Sequence, residues 1–132
     1  MEIAHLQSKY RDRMLTIAHV VSGWSTEPEG QRHGSVLSLE GKYIIATGFN
    51  GPDRTWASDP NCGGTCCERA PLVHAEVNAI INAIMVGADI ERCVAYVTKQ
   101  PCGPCQAALE GAGVRAVFWL QDAAGRGHVW TR

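Results

Sequence analysis

Two short stretches of this chain combine a histidine, two cysteines and a carboxylate at spacings that suit a metal site. They are His74-Ala75-Glu76 and the P-C-G-P-C segment at residues 101–105. Cys102 and Cys105 lie three residues apart, so both sulfurs reach one ion when they begin a helix. The dipole of that helix also favours the thiolates. His74 is predicted on a separate helix, so we expect two helix N-termini to converge on the metal.

A zinc ion with three protein ligands and an open fourth position lowers the pKa of its water to about 7. Glu76, two residues after the histidine, is placed to move a proton from that water to a ring nitrogen and then to a leaving amine. The pattern H-x-E…P-C-x-x-C is typical of enzymes that deaminate nucleobases. We therefore predict His74, Cys102 and Cys105 as zinc ligands and Glu76 as the catalytic proton shuttle.

Other interpretations of these cysteines remain open. A lone C-x-x-C after a strand such as 94–98 also suits a thioredoxin-type redox pair, although that reading leaves His74 and Glu76 unexplained. A structural zinc site is the other alternative, because further thiols are present. These thiols are Cys62, Cys66 and Cys67.

Length and composition favour one domain, residues 1–132, that acts on a small molecule. The chain has 132 residues, of which 45% are hydrophobic, enough for one core. The net charge of −1 does not provide the excess positive charge that binding of long nucleic acid requires. The N-terminus does not resemble a signal peptide and no apolar run approaches a membrane span. We expect a cytoplasmic protein without membrane contact, whose cysteines bind metal rather than form disulfides.

Hydrophobic periodicity predicts helices alternating with strands, which is typical of an α/β fold. The second predicted helix is apolar on almost every face. Such a helix is either buried or packs against both the sheet and a second subunit. Pro101 is expected in the first turn of the third helix. The predicted helices span 8–24, 74–86 and 102–111, and the strands 34–39, 42–47, 94–98 and 114–120, with a Glu40-Gly41 turn and a short tail at 128–130.

Several polar residues outside the metal triad are candidate ligand contacts. Gly48 permits close approach of a ligand, and Asn50 can both donate to and accept from a sugar hydroxyl. Arg32 suits a phosphate, although a solvated arginine is an equal alternative. Asn78 lies four residues after His74, on the same helix face. In segment 52–73, Cys62 with Cys66 or Cys67 forms either a second metal site or a set of free thiols.

The chain resembles the deoxycytidylate (dCMP) deaminase family over roughly residues 10–120. The motifs that carry the resemblance are G-F-N-G at 48–51, H-A-E-V-N-A-I at 74–80 and P-C-G-P-C at 101–105. The family runs G-Y-N-G, H-A-E-x-N-A-I and P-C-x-x-C. Q-R-H-G at 31–34 is similar to its T-R-V-G entry to the first strand, and a cysteine-bearing insert precedes H-A-E in both.

The resemblance implies a three-layer α/β/α fold around a five-stranded mixed sheet, and hydrolysis of dCMP to dUMP and ammonia in pyrimidine deoxynucleotide metabolism. It implies the zinc ligands and the proton shuttle named above. It also implies that the Ala75 backbone contacts the base and Asn50 the deoxyribose, with Asn78 and Arg32 on the phosphate side. Family members are homo-oligomers, typically hexamers, and many are regulated by dCTP and dTTP.

The chain also departs from the family. Phe49 replaces the usual tyrosine, and Gln106-Ala107 replaces Ala-Lys. Additional tryptophans, Trp56, Trp119 and Trp130, favour a second hypothesis in which the base pocket accepts a 5-substituted dCMP, such as 5-methyl-dCMP converted to dTMP. A tRNA adenosine deaminase, a nucleoside deaminase and a zinc-stabilised binding module are the remaining alternatives.

Overall fold

A computed structural model describes residues 8–52, 72–120 and 127–131. Helices and strands alternate, as predicted, only in the second half of the chain, whereas four consecutive strands follow the first helix. The elements are α1 (Ser8–Ser22), β1 (Gly34–Leu39), β2 (Tyr43–Phe49), β3 (Gly51–Pro52), β4 (Leu72–Val73), α2 (Ala75–Met85), a 3-10 turn (Ile90–Arg92), β5 (Cys93–Val97), α3 (Gly103–Ala112), β6 (Ala116–Leu120) and β7 (Gly127–Thr131).

The main sheet is mixed and has the strand order β2-β1-β5-β6-β7. β1 pairs antiparallel with both β2 and β5, and β5 pairs parallel with β6. Side chains are described in β2, β1, β5 and β6, and the backbone of β7 pairs antiparallel with β6 at the edge. The continuous apolar runs of β5 and β6 are typical of strands buried on both faces, with α3 as the crossover between them.

Helices cover both faces of the sheet, so the predicted α/β layering is confirmed. Alternate residues of β5 point to opposite faces. Ala95 and Val97 pack in the cluster shared with α2 and α3, whereas Val94 and Tyr96 pack in the cluster shared with α1. The metal-site motifs on α2 and α3 therefore lie on one side of the sheet.

Three boundary predictions are corrected. α2 and α3 begin one residue later than predicted, because His74 and Cys102 are their N-cap residues with extended backbone. Pro101 therefore precedes the cap of α3, and Pro104 takes the first-turn position, where a missing N–H has no cost. α1 ends at Ser22 rather than at residue 24.

The β1–β2 turn follows the sequence expectation closely. Glu40 and Gly41 both have positive φ, at 55° and 76°. Two consecutive left-handed residues match the twist of the flanking strands. The turn also includes Lys42, because β2 begins at Tyr43.

Some sequence predictions fall outside the described residues. These are the second metal site at Cys62, Cys66 and Cys67, and any role of Trp56. In the described part of the chain, no helix combines the length and apolar character that crossing a bilayer requires.

Candidate active site

The three predicted metal ligands meet at one point. His74 Nδ1 lies 3.1 Å from Cys105 Sγ and 3.5 Å from Cys102 Sγ. All three ligand atoms lie within 4.8 Å of one another. Bond lengths of about 2.0 Å to nitrogen and 2.3 Å to sulfur place tetrahedral zinc ligands roughly 3.5–3.8 Å apart. The spacing and the donor set therefore fit zinc.

Helix starts produce this convergence. His74 caps α2 and Cys102 caps α3, so the positive ends of two helix dipoles point at the same place. Burial, together with the nearby Glu76 carboxylate, raises the pKa of the Cys105 thiol above its ordinary value. A thiol buried beside a carboxylate becomes a good ligand when a cation compensates the negative charges.

Glu76 stands beside this triad without belonging to it. Its side chain is 7% exposed, and it lines the same cavity as His74 and Cys102. The group of residues that share a metal-binding geometry contains His74, Cys102 and Cys105. Glu76 therefore lies next to the group of possible metal ligands and is not one of them.

Ala75 also lines the cavity. As the first residue of α2, it has a backbone N–H without an intrahelical acceptor. Its carbonyl oxygen accepts a 2.8 Å hydrogen bond from the buried Ser35 hydroxyl of β1. This bond anchors the H-A-E turn to the sheet.

Gly48 has a packing role that the sequence interpretation did not anticipate. A Cβ atom there would overlap the Ala75 carbonyl oxygen and the Ala79 backbone nitrogen. Gly48 is not part of the described cavity lining. A close approach at Gly48 is made by α2, and it brings the H-A-E turn against β2.

Asn78 likewise stabilises the fold around the site. It is 7% exposed, and its amide nitrogen donates to the Phe49 carbonyl oxygen at 2.8 Å. Although it shares a helix side with His74, it is not part of the described cavity lining.

Asn50 lines the cavity and also holds the loop before β1. Its side-chain oxygen accepts from the His33 N–H at 2.8 Å, and its side-chain nitrogen donates to the Gln31 carbonyl at 2.7 Å. Its backbone N–H donates to the His33 carbonyl at 3.1 Å. Residues 31–33 are thereby fixed at the cavity wall.

The cavity lined by His74, Glu76 and Cys102 has a volume of about 240 Å³. Five lining residues were not among the sequence candidates. Two of them lie in the Q-R-H-G segment at 31–34, where Arg32 alone was singled out, and the other three lie in connecting segments. They are Glu27, Gln31, His33, Lys99 and Gln100.

Arg32 lies elsewhere, in a second cavity of about 440 Å³. Its Nε donates to the Glu27 carbonyl oxygen at 2.7 Å, and the remaining guanidinium N–H groups are other donors. His33 and Lys99 line both cavities. Burial lowers the pKa of His33, and the positive charge of Lys99 lowers it further.

Of the three tryptophans named as departures, the described side chain of Trp119 does not line the cavity. Trp119 is 5% exposed and packs in the core cluster shared with α2 and α3. Phe49 points outward and contacts the Trp24 ring edge-on, with centroids 6.3 Å apart. Of Trp130 only the backbone is described. These positions provide no support for an altered base pocket.

Comparison with known proteins gives consistent matches. The model of the cytidine and deoxycytidylate deaminase zinc-binding region matches residues 8–121. A probable deoxycytidylate deaminase of Caenorhabditis elegans is 32% identical over 122 residues, which cover 86% of this chain and 58% of that protein. The mouse deoxycytidylate deaminase is 28% identical over 120 residues, covering 86% and 66%. The chain therefore spans about three fifths to two thirds of these relatives.

A solved structure shows the same fold. The dCMP deaminase of cyanophage S-TIM5 in apo form superposes with a TM-score of 0.71 at 22% identity, covering 91% of this chain and 89% of that one. The same enzyme in complex with dCMP and dUMP superposes with a TM-score of 0.66 at 18% identity, covering 87% and 83%.

Proposed function

Because the chain belongs to the cytidine and deoxycytidylate deaminase family, we propose that it hydrolyses dCMP to dUMP and ammonia. The observation that carries this proposal is the placement of Glu76 beside the His74–Cys102–Cys105 group, in a cavity that Glu76 lines together with His74 and Cys102. The relatives named deoxycytidylate deaminase, and the cyanophage enzyme that binds dCMP and dUMP, support the choice of substrate.

His74, Cys102 and Cys105 would hold the zinc ion. When bound, zinc supplies the Lewis acidity that makes water a nucleophile at neutral pH. Glu76 accepts one proton from the attacking water and delivers it to the ring nitrogen, where it stays. It then transfers the remaining hydroxyl proton to the amine, and the C–N bond breaks as the carbonyl forms and ammonia leaves. Burial of Glu76 suits this work, because bulk water does not compete for the proton inside the cavity.

The first turn of α2 and the loop before β1 would orient the nucleotide. The free N–H of Ala75 donates to the base. After its two side-chain hydrogen bonds to the loop, Asn50 still has one amide N–H to donate and one lone pair on its side-chain oxygen to accept. Both suit a deoxyribose hydroxyl. Arg32, in the adjoining cavity, provides a cation for the phosphate.

We also propose that the chain works as a homo-oligomer. Exposed apolar side chains occur on the edge strand β2, at Tyr43 and Ile44, and at the end of α2, at Ile84 and Met85. Their exposures lie between 45% and 63%, and exposed apolar side chains of this size are candidates for contacts with a second subunit. The hexameric state and regulation by dCTP and dTTP rest on the family resemblance, and sedimentation velocity with and without these nucleotides tests both.

The deciding experiment incubates equal concentrations of dCMP, 5-methyl-dCMP, CMP and deoxycytidine with the zinc-loaded protein and separates the products by chromatography. Deamination confined to the deoxynucleoside monophosphates supports the proposal, and the ratio of dCMP to 5-methyl-dCMP turnover decides between the two bases. Turnover of deoxycytidine alone would assign the chain to nucleoside deamination. Turnover of none of the four would overturn the proposal.

A further inference from the structure

We propose that His33 and Lys99 form the wall that selects a 5′-phosphorylated substrate, by binding its phosphate at the boundary between the two cavities. This inference rests on the proposed deamination of a pyrimidine nucleotide and assigns the specificity to two residues. Neither residue lies in the H-A-E motif at 74–76 or in the P-C-G-P-C motif at 101–105. Both line the first cavity, which contains His74 and Glu76, and the second cavity, which contains Arg32.

Strand pairing places these two residues side by side. β1 and β5 are antiparallel, and Ser35 pairs with Val97. The pairing continues one step further, because the Gly34 N–H donates to the Thr98 hydroxyl at 3.1 Å and the Thr98 N–H donates to the Gly34 carbonyl at 3.0 Å. His33 and Lys99 are the next residues on each side, so the sheet itself holds them together.

The loop that carries His33 is also held from its other side. The Asn50 side chain accepts from the His33 N–H and donates to the Gln31 carbonyl. A subsite whose backbone is fixed in this way loses little conformational entropy when it binds a ligand. The wall is therefore preorganised, although the Lys99 side chain is exposed.

The distribution of charge over the two cavities favours one binding orientation of the substrate. The first cavity contains two carboxylates, Glu27 and Glu76, which repel an anion. The second contains Arg32 and Lys99 with two histidines, His19 and His33, against the single carboxylate of Glu29. A molecule with a neutral ring at one end and a phosphate at the other fits this arrangement, with its phosphate against Lys99, His33 and Arg32.

The test compares dCMP with deoxycytidine, which differ by the phosphate alone. Lys99→Met and His33→Gln should each raise KM for dCMP by about 10- to 100-fold, since each removes a contact to a charged group. The kcat for dCMP and the kcat/KM for deoxycytidine should remain near wild type. Lys99→Arg should keep the preference for dCMP because it keeps the charge.

A matched control is Lys42→Met, which removes an exposed lysine from the turn at the far end of β1, roughly 20 Å away along the strand. It should leave the preference for dCMP unchanged. Calorimetric titration of the wild type and Lys99→Met with dUMP and with deoxyuridine provides a readout without turnover. The variant should lose affinity for dUMP and bind deoxyuridine as the wild type does.

The outcomes separate the two proposals. Wild-type protein that deaminates dCMP and deoxycytidine equally well, or Lys99→Met that keeps the wild-type preference, overturns the role of the wall and leaves deamination intact. An equal loss on both substrates shows that Lys99 supports the base site instead, and also overturns the inference. A wild-type protein that turns over neither substrate overturns the proposed function and this inference with it.

Discussion

The Ser35 hydroxyl donates a 2.8 Å hydrogen bond to the carbonyl oxygen of Ala75, and both residues are buried. This bond joins the first strand to the turn that carries His74 and Glu76. Ser35→Ala should lower the free energy of unfolding by about 1 kcal/mol and reduce kcat, because the turn loses an anchor. Urea denaturation and steady-state kinetics measure both effects.

Thr16→Ala is the contrasting variant, since the exposed Thr16 hydroxyl donates within its own helix to the Asp12 carbonyl. Alanine favours a helix, so stability should stay the same or rise by a few tenths of a kcal/mol. Wild-type stability and activity in Ser35→Ala would contradict the anchoring role.

A second prediction concerns the crossing of α2 over β2. Gly48→Ala should cost about 1–3 kcal/mol or more, because its Cβ would overlap backbone atoms of Ala75 and Ala79, which cannot rotate away. Activity should fall with stability, since the H-A-E turn moves. Gly51→Ala is the control within the same motif, because its Cβ would meet no atom within 4 Å. Equal melting temperatures for the two variants would disprove the packing role.

Glu76→Gln separates proton transfer from metal binding. We expect kcat to fall by about 10²- to 10⁴-fold, with zinc content and melting temperature close to wild type, because Glu76 is not part of the ligand group. Glu110→Gln, an exposed change on α3, should leave kcat unchanged. Zinc is measured by atomic emission. If the Glu76→Gln variant lost its zinc, the Glu76 carboxylate would have to be counted as a zinc ligand. That result would refute its assignment as a proton shuttle outside the ligand group.

Metal removal should affect both activity and stability. Dialysis against a chelator should abolish turnover and lower the melting temperature, and zinc should restore both. Free zinc at a hundred times its dissociation constant stabilises the folded chain by about 2.7 kcal/mol. Cys102→Ser should lose stoichiometric zinc, whereas Cys93→Ala, at a buried cysteine outside the triad, should retain it. Full activity of metal-free protein would exclude the proposed chemistry.

A pH prediction follows from Tyr96. Its hydroxyl donates to the Gly41 carbonyl at 3.0 Å, and burial raises its pKa above the ordinary value of 10.0. Above pH 10 the unfolded chain therefore releases a proton that the folded chain keeps, and stability falls as pH rises. Tyr96→Phe should cost about 1 kcal/mol below pH 9, and this difference should shrink above pH 10. A difference in the free energy of unfolding between wild type and Tyr96→Phe that stays the same at all pH values would contradict this prediction.

The metal site could be predicted from local spacing, and the cavity around it could not. His74, Glu76, Cys102 and Cys105 lie in two short motifs whose geometry follows from helix starts, so the convergence of the three ligands was predictable. His33 and Lys99 lie in connecting segments and become neighbours through the pairing of β1 with β5. That pairing depends on the register of distant strands, which one sequence does not determine.

Three further structural features could not be predicted from the sequence, for equally specific reasons. Gly48 was predicted to admit a ligand, because a glycine next to a motif allows close approach by any group, and sequence does not say which group comes close. Asn78 shares the helix side of His74, but its amide is used by the Phe49 carbonyl. Pro101 was predicted inside the first turn of α3 but lies just before the N-cap Cys102. Pro104 occupies the first turn instead, and local preference did not distinguish the two prolines.

The antiparallel pairing of β1 with β5 also has a kinetic consequence. Contacts between strands distant in sequence form slowly, because a long loop must close first. His74 approaches the two cysteines when that pairing and the packing of α2 are complete, whereas Cys102 and Cys105 are already close together in an unfolded chain. Zinc captured early by these two thiols binds the unfolded chain as well, so metal present during refolding stabilises the native state less than its final affinity suggests.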